Sequence, residues 1–278
     1  MISSSPYASA SVFIRRLIAG LAVLMFSSAV GAAVPSDWWV NIANDRVTQV
    51  QQMLGRGVDP NEFSSDGQPA IMQAIRDGAW KVYDVLVKSK KTDVNAVNVN
   101  DETPLMYLAV VGETARAQAL IQRGAQVNRL GWTPLHYAAS KGHLDMARLL
   151  ITKQAIINAP GPDGTTPLMM AAYSGSAAMV QLLLDAGADV TTLNLQKQDA
   201  ADWARLKKHT DLGTKLDVLT QKVLAQRAAM RQAGTSTPPQ GTERLRLDQA
   251  NGPSTPSATQ DTEGAASTSK YFDLDRFK

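Results

Sequence analysis

Chemistry in this chain would have to start at His136, His143 and His209, because imidazole is the side chain that titrates nearest neutral pH and the commonest metal ligand. The sequence gives these histidines no partners for either task. None belongs to an HExxH arrangement, and no other metal-ligand spacing accompanies them. The chain has no cysteine, which excludes disulfides, thiolate catalysis and Cys-ligated zinc or iron–sulfur sites. It contains no GxSxG, no P-loop and no dinucleotide fingerprint. Its aspartate–glycine pairs, Asp66-Gly67 and Asp163-Gly164, read as the tips of hairpins and not as acids. The expectation is a protein with no catalytic residue, no cofactor and no metal, whose function is binding.

The elements that carry these residues repeat. Thr103-Pro104-Leu105-Met106-Tyr107-Leu108-Ala109, Thr133-Pro134-Leu135-His136-Tyr137-Ala138-Ala139 and Thr166-Pro167-Leu168-Met169-Met170-Ala171-Ala172 align with one another. A glycine follows nine residues after each threonine, at Gly112, Gly142 and Gly175, and a leucine seventeen after it, at Leu120, Leu150 and Leu183. Weaker copies begin at Asp37, Pro69 and Asp199, so the starts fall near 37, 69, 103, 133, 166 and 199, with spacings of 32, 34, 30, 33 and 33. Each threonine is suited to cap a first helix that has proline in its first turn. Each glycine allows the left-handed turn that ends that helix, and a second helix with an apolar stripe, such as Leu144, Ala147, Leu149 and Leu150, follows. Neither helix can bury its stripe alone, so the units must stack into one continuous core.

These motifs resemble the ankyrin repeat family, and the resemblance covers about residues 37 to 230. It implies an all-α solenoid of about six helix-turn-helix units with β-hairpin fingers. It also implies that His136 and His143 serve hydrogen bonds between helix ends and loops. Terminal units must meet water on one face. Asn41, Asn44, Asp45 and Gln49 polarise the first, while Lys207-Lys208-His209 and a helix from about Leu212 to Met230 do so for the last. Both polar ends favour a monomer. The short spacing of 30 clips three residues from the finger at Asn128-Arg129-Leu130-Gly131-Trp132, which should alter the binding rim and bring Trp132 close to the next first helix.

Ankyrin stacks bind through a concave surface made by the fingers and the outward positions of the first helices. Positions four and seven or eight after each start should point there. Gln73, Arg76, Tyr107, Tyr137, Lys141, Met170, Tyr173 and also Trp203 are thereby assigned to a protein-binding groove, with Arg129 and Trp132 at the clipped rim. Tyrosine and tryptophan suit an interface because they bury a large area at small entropic cost. Trp80 falls on the apolar stripe of its second helix and reads as core.

The two ends differ from this middle. Arg15-Arg16, the apolar run Leu17 to Phe26 and the small residues from Ser27 to Ala33 have the layout of a secretory signal covering residues 1–33, cleaved after Ala32 or Ala33. An uncleaved inner-membrane anchor facing the periplasm is the alternative, since Leu17 to Val34 could just span a bilayer. Export to the periplasm of a Gram-negative bacterium, or secretion, follows. The 28 basic and 25 acidic side chains of the full chain then become 26 and 25, a balance that offers no basic face for nucleic acid. Beyond about 231 the chain turns to Gly, Ser, Thr, Pro and Gln, a composition of disorder. Tyr271-Phe272-Asp273-Leu274-Asp275-Arg276-Phe277 interrupts it as a candidate docking motif. The composite expectation is an exported interaction module that scaffolds or protects a protein partner, as in stress defence, with a periplasmic inhibitor or immunity protein and a secreted effector as alternatives.

Overall fold

The computed structural model describes residues 34–232 and 245–249. The expected signal at 1–33 and the motif at 271–277 lie outside the described residues. Twelve α-helices and one 3-10 turn account for the regular structure among the described residues, and no strand forms. The helices pair into six units: α1 (Trp38–Ala43) with α2 (Val47–Gly55), α3 (Ala70–Arg76) with α4 (Trp80–Lys88), α5 (Pro104–Val111) with α6 (Thr114–Gln122), α7 (Pro134–Lys141) with α8 (Leu144–Thr152), α9 (Pro167–Ser174) with α10 (Ala177–Asp185), and α11 (Ala200–Leu206) with α12 (Thr210–Gln232). First helices pack on first helices and second on second, so the core is one continuous seam between two layers. No described helix is long and apolar enough to cross a membrane.

Local chemistry sets the ends of each unit. The Thr103 and Thr166 hydroxyls accept from the backbone N–H of Met106 (3.4 Å) and Met169 (3.3 Å), satisfying a donor that the first turn leaves free. At the other end Gly112, Gly142 and Gly175 adopt φ of 77°, 71° and 74°. At Gly112 and Gly175 space as well as φ demands glycine. A Cβ on Gly112 would stand 3.0 Å from the His143 ring, and one on Gly175 would run into His209.

Asparagines then tie each unit to the next. The Asn61 amide donates to Lys91 O (2.9 Å) and accepts from Asp93 N (2.7 Å). Asn95 does the same to Gly124 O and Gln126 N, Asn128 to Gln154 O and Ile156 N, and Asn158 to Gly187 O and Asp189 N. Each side-chain amide thus reads the carbonyl of one residue and the N–H of the residue two further on, the full hydrogen-bonding capacity of one edge of the amide.

The ends depart from expectation in detail. Asn41 is buried and not solvated: it donates to Asp37 (3.0 Å) and contacts the Met53 sulfur. Asp45 accepts from Val82 N (2.7 Å) in the first turn of α4, so it joins the first unit to the second. In α12, Leu212, Leu216 and Leu219 are buried on one stripe while the later turns are mostly exposed, which makes it a lid over the last interface.

Candidate functional site

The expected groove separates into two rows with opposite fates. Every residue four positions after a unit's start is buried: Gln73, Tyr107, Tyr137, Met170 and Trp203 retain 9%, 0%, 1%, 2% and 4% of their exposure. Their assignment to a solvent-facing groove is therefore corrected. The reason is the close lateral packing of the first helices, which turns this position into the seam between neighbouring units. The tyrosine hydroxyls enter a polar network beneath the fingers. Tyr137 donates to Glu102 (2.6 Å), Tyr107 donates to Gln68 (3.2 Å), and Asn98 donates to Glu102 (2.9 Å) and to Tyr107 (3.1 Å). A buried hydroxyl needs such a partner, and here it links three consecutive units.

Positions seven or eight after the start do reach solvent. Lys141 is exposed, while Arg76 and Tyr173 are half-buried. Lys207 stands 4.7 Å over the Tyr173 ring, and Trp203 packs beside it at 5.7 Å. Arg76 pairs with Asp66 at 3.1 Å on the wall of a recess of about 410 Å³ at the first two units. Gln73, Trp39, Val40 and Asn44 complete that recess. Gln73 meets it only by its edge.

The fingers are tight turns and not β-hairpins; among the described residues the single bridge is Phe63 with Pro69. Four of them close by the same bond, from Ser64 N to Gln68 O, Asn98 N to Glu102 O, Gly161 N to Thr165 O and Asn194 N to Gln198 O. Of the first residues of these closures, Asn98, Gly161 and Asn194 turn inward while Ser64 is half-buried, and the two neighbours of each turn out, the polar Ser65 on the first finger among them. Phe63, Val97 and Leu193 precede this residue, and Val99 and Leu195 follow it, with exposures from 40% to 75%. Pro160 and Pro162 hold the same two places and are exposed as well. Two apolar rows thus run along the finger tips. The fingers touch: Leu195 N donates to Asp163 O (2.9 Å), and a Cβ on Gly67 would collide with Val99. Sequence reasoning passed over these rows, although Val97-Asn98-Val99 and Leu193-Asn194-Leu195 signal them by placing apolar residues on both sides of an inward polar one.

At the clipped finger the three lost residues come from after the linking asparagine, so Asn128 keeps its inter-unit bonds while no closed turn forms. Arg129 reaches back to Asp101 (2.6 Å) and is half-buried. Trp132 lies close to the next first helix, as expected, with its ring at 5.2 Å from the His136 ring of α7 and against Gly161, but it is buried there, which corrects its assignment to the partner-binding rim. Leu130 alone projects from this finger, at 95% exposure. Trp80, expected in the core, is only partly buried and lies under the Arg116 guanidinium at 4.6 Å.

His136 and His143 serve the backbone. His136 is fully buried; its Nε2 faces Thr165 O at 3.0 Å, which can only accept, so that nitrogen carries the proton. Nδ1 then accepts from Thr133 N–H (3.2 Å). Burial lowers the His136 pKa to about 4, which keeps this neutral tautomer. His143 bonds Val110 O at 2.9 Å through Nε2. Among the described residues no three His, Asp or Glu side chains gather as metal ligands would.

The family described as Ankyrin repeats (3 copies) matches residues 39–130 and 117–194. Among similar proteins, the human transient receptor potential cation channel subfamily A member 1 is 24% identical over 54% of the chain and 14% of its own length. The mouse protein fem-1 homolog A-like is 32% identical over 48% of the chain and 21% of its own. The rat ankyrin repeat and SAM domain-containing protein 6 is 32% identical over 45% of the chain and 15% of its own. The chain thus spans less than a quarter of the length of these relatives. The two family matches together run from residue 39 to 194, more than half of the 278 residues, over units whose caps, left-handed glycines and stacked helices follow one plan: the chain belongs to the ankyrin repeat family.

Proposed function

We propose that this protein is an exported, non-enzymatic interaction module that holds a protein partner against its finger tips and the recess at its first two units. The observation that carries this reading is the pair of exposed apolar rows along the fingers. An apolar stripe of this kind at the edge of a stack, rimmed by Asp66, Asp101 and Lys197, has the make-up of an interface centre with a polar rim. The partner chemistry is a protein segment presenting apolar side chains at the repeat of the fingers. The buried tyrosines hold the fingers in place and do not touch the partner.

The signal-like residues 1–33 support a periplasmic or secreted location, and the absence of cysteine is compatible with an oxidising compartment. Scaffolding or protection of a partner is the reading adopted. Two measurements test it. Fractionation of cells expressing the full chain should recover it, shortened by about the length of residues 1–33, in the periplasm; an unprocessed cytoplasmic product would end the export reading. Capture from cell envelopes should enrich one dominant protein with the wild-type chain and lose it with Val99→Asp combined with Leu195→Asp. Equal capture by a variant shown to be folded would remove the fingers from the interface.

A further inference from the structure

The last described residues return to the body of the protein. Leu245 packs on the core and Leu247 is 6% exposed, in the cleft between α10 and α12, two second-layer helices. Gln181 of α10 grips this segment by its backbone: Nε2 donates to Leu245 O at 2.9 Å, and Oε1 accepts from Leu247 N at 2.8 Å. The other Nε2 hydrogen serves Asp185 at 2.9 Å, which holds the amide in orientation. The residue between the leucines, Arg246, is exposed. A cleft of about 300 Å³ remains beside the segment, bordered by Ala177, Lys215 and Asp248.

This grip has the same form as the bonds that tie unit to unit. Asn61, Asn95, Asn128 and Asn158 each read a carbonyl and the N–H two residues on, as Gln181 does. There is one difference. The asparagines read loops that are built into the next unit, whereas Gln181 reads a segment that contributes two leucine side chains and is joined to α12 through the twelve residues 233–244. Backbone bonds supply orientation and alternate side chains supply anchors, which is how extended peptides are recognised elsewhere.

We propose that the α10–α12 cleft is a peptide-recognition site for a short segment with leucines two residues apart, occupied in cis by Leu245-Arg246-Leu247 of the chain's own tail. The tether makes the tail a competitor at an effective concentration on the order of millimolar, so that an outside peptide enters only when the tail is released. The cleft lies on the second-helix layer, so this site is separate from the finger tips and does not depend on the function proposed for them.

The test uses the full chain and a fluorescent peptide of residues 242–251. A Leu245→Ala, Leu247→Ala chain, whose own tail no longer fills the cleft, should bind the peptide at least tenfold more tightly than the wild-type chain, and adding Gln181→Ala should abolish that binding. A peptide carrying Leu247→Ala should not bind. Absence of binding to the released chain, or equal binding with and without Gln181, overturns the proposal. As a readout independent of the leucine variants, the Leu247 amide of the otherwise unaltered chain should exchange with solvent faster after Gln181→Ala; unchanged exchange also counts against the grip. Circular dichroism establishes that each variant is folded.

Discussion

The row of side chains four positions into each unit and the rows at the finger tips carry similar residue types and play opposite parts. Tyr107, Tyr137 and Met170 are large, apolar and buried, while Val99, Leu130 and Leu195 are large, apolar and exposed. In a stack, a first-helix residue that would face water in an isolated unit meets the neighbouring first helix. A finger residue has a neighbour only along the row of fingers. Side-chain type therefore says little about role here; distance from the seam between units decides it.

The sharpest way to break this comparison is at Tyr137. Tyr137→Ala removes a fully buried ring and one of the donors to Glu102, and should cost about 3–5 kcal/mol in urea unfolding. Tyr137→Phe keeps the ring and removes only the hydroxyl, and should cost about 1–3 kcal/mol because a buried carboxylate loses a donor. If Tyr137→Ala left stability unchanged while weakening partner capture, the seam assignment would be wrong and the original groove reading would return.

Next in size is a pH effect at the same unit. Because burial holds the His136 pKa at about 4, below its ordinary value near 6.5, the unfolded chain binds the proton more readily than the native one. Stability contributed by neutral His136 is complete above the unfolded pKa and is lost as pH falls from about 6.5 to about 4. The loss amounts to about 3 kcal/mol at most. Unfolding midpoints between pH 7 and pH 4 should fall more steeply for the wild-type chain than for His136→Gln. Parallel slopes would show that this ring does not control the acid limb.

A smaller effect is expected at the unit boundary. Gly112→Ala places a Cβ at φ 77° and 3.0 Å from the His143 ring. The left-handed conformation alone costs about 1–2 kcal/mol for a residue with a Cβ, and the His143 bond to Val110 O should lengthen or break. Thermal unfolding of Gly112→Ala beside His143→Ala and the double variant would show whether the two share one contact; simple additivity would separate them.

Much of the architecture was legible because it is local. The starts at 103, 133 and 166 carry a cap, a proline and a glycine at fixed offsets, and each of these is dictated by helix-end chemistry within one unit. The structural role of His136 and His143 was legible through the family resemblance. What could not be read from one unit is what lies between units. The helical offset that sends Tyr107 outward from its own helix also sends it into the next, and one copy of the repeat does not contain that neighbour. The inter-unit asparagines recur at 61, 95, 128 and 158, close to the period of the repeat, but their bonds run to residues 26 to 32 positions away. Gln181 reaches farther still, 64 and 66 positions to the tail, and no periodicity marks such a contact.

The smallest expected effect falls on Leu130, and it sharpens the comparison most. This side chain stands on the clipped finger at 95% exposure, directly before a unit whose Tyr137 and Trp132 are buried. Removing it takes nothing from the core, so Leu130→Ser should change stability by no more than about 0.5 kcal/mol. If the finger tips form the contact surface, the same substitution should still weaken partner capture, because an exposed leucine gains its free energy only when a partner covers it. A stability loss near that of Tyr137→Phe would mean that Leu130 is covered by this chain itself. Unchanged capture would restrict the interface to the closed fingers on either side, where Val99 and Leu195 stand, and would make the three-residue clip a gap in the binding surface.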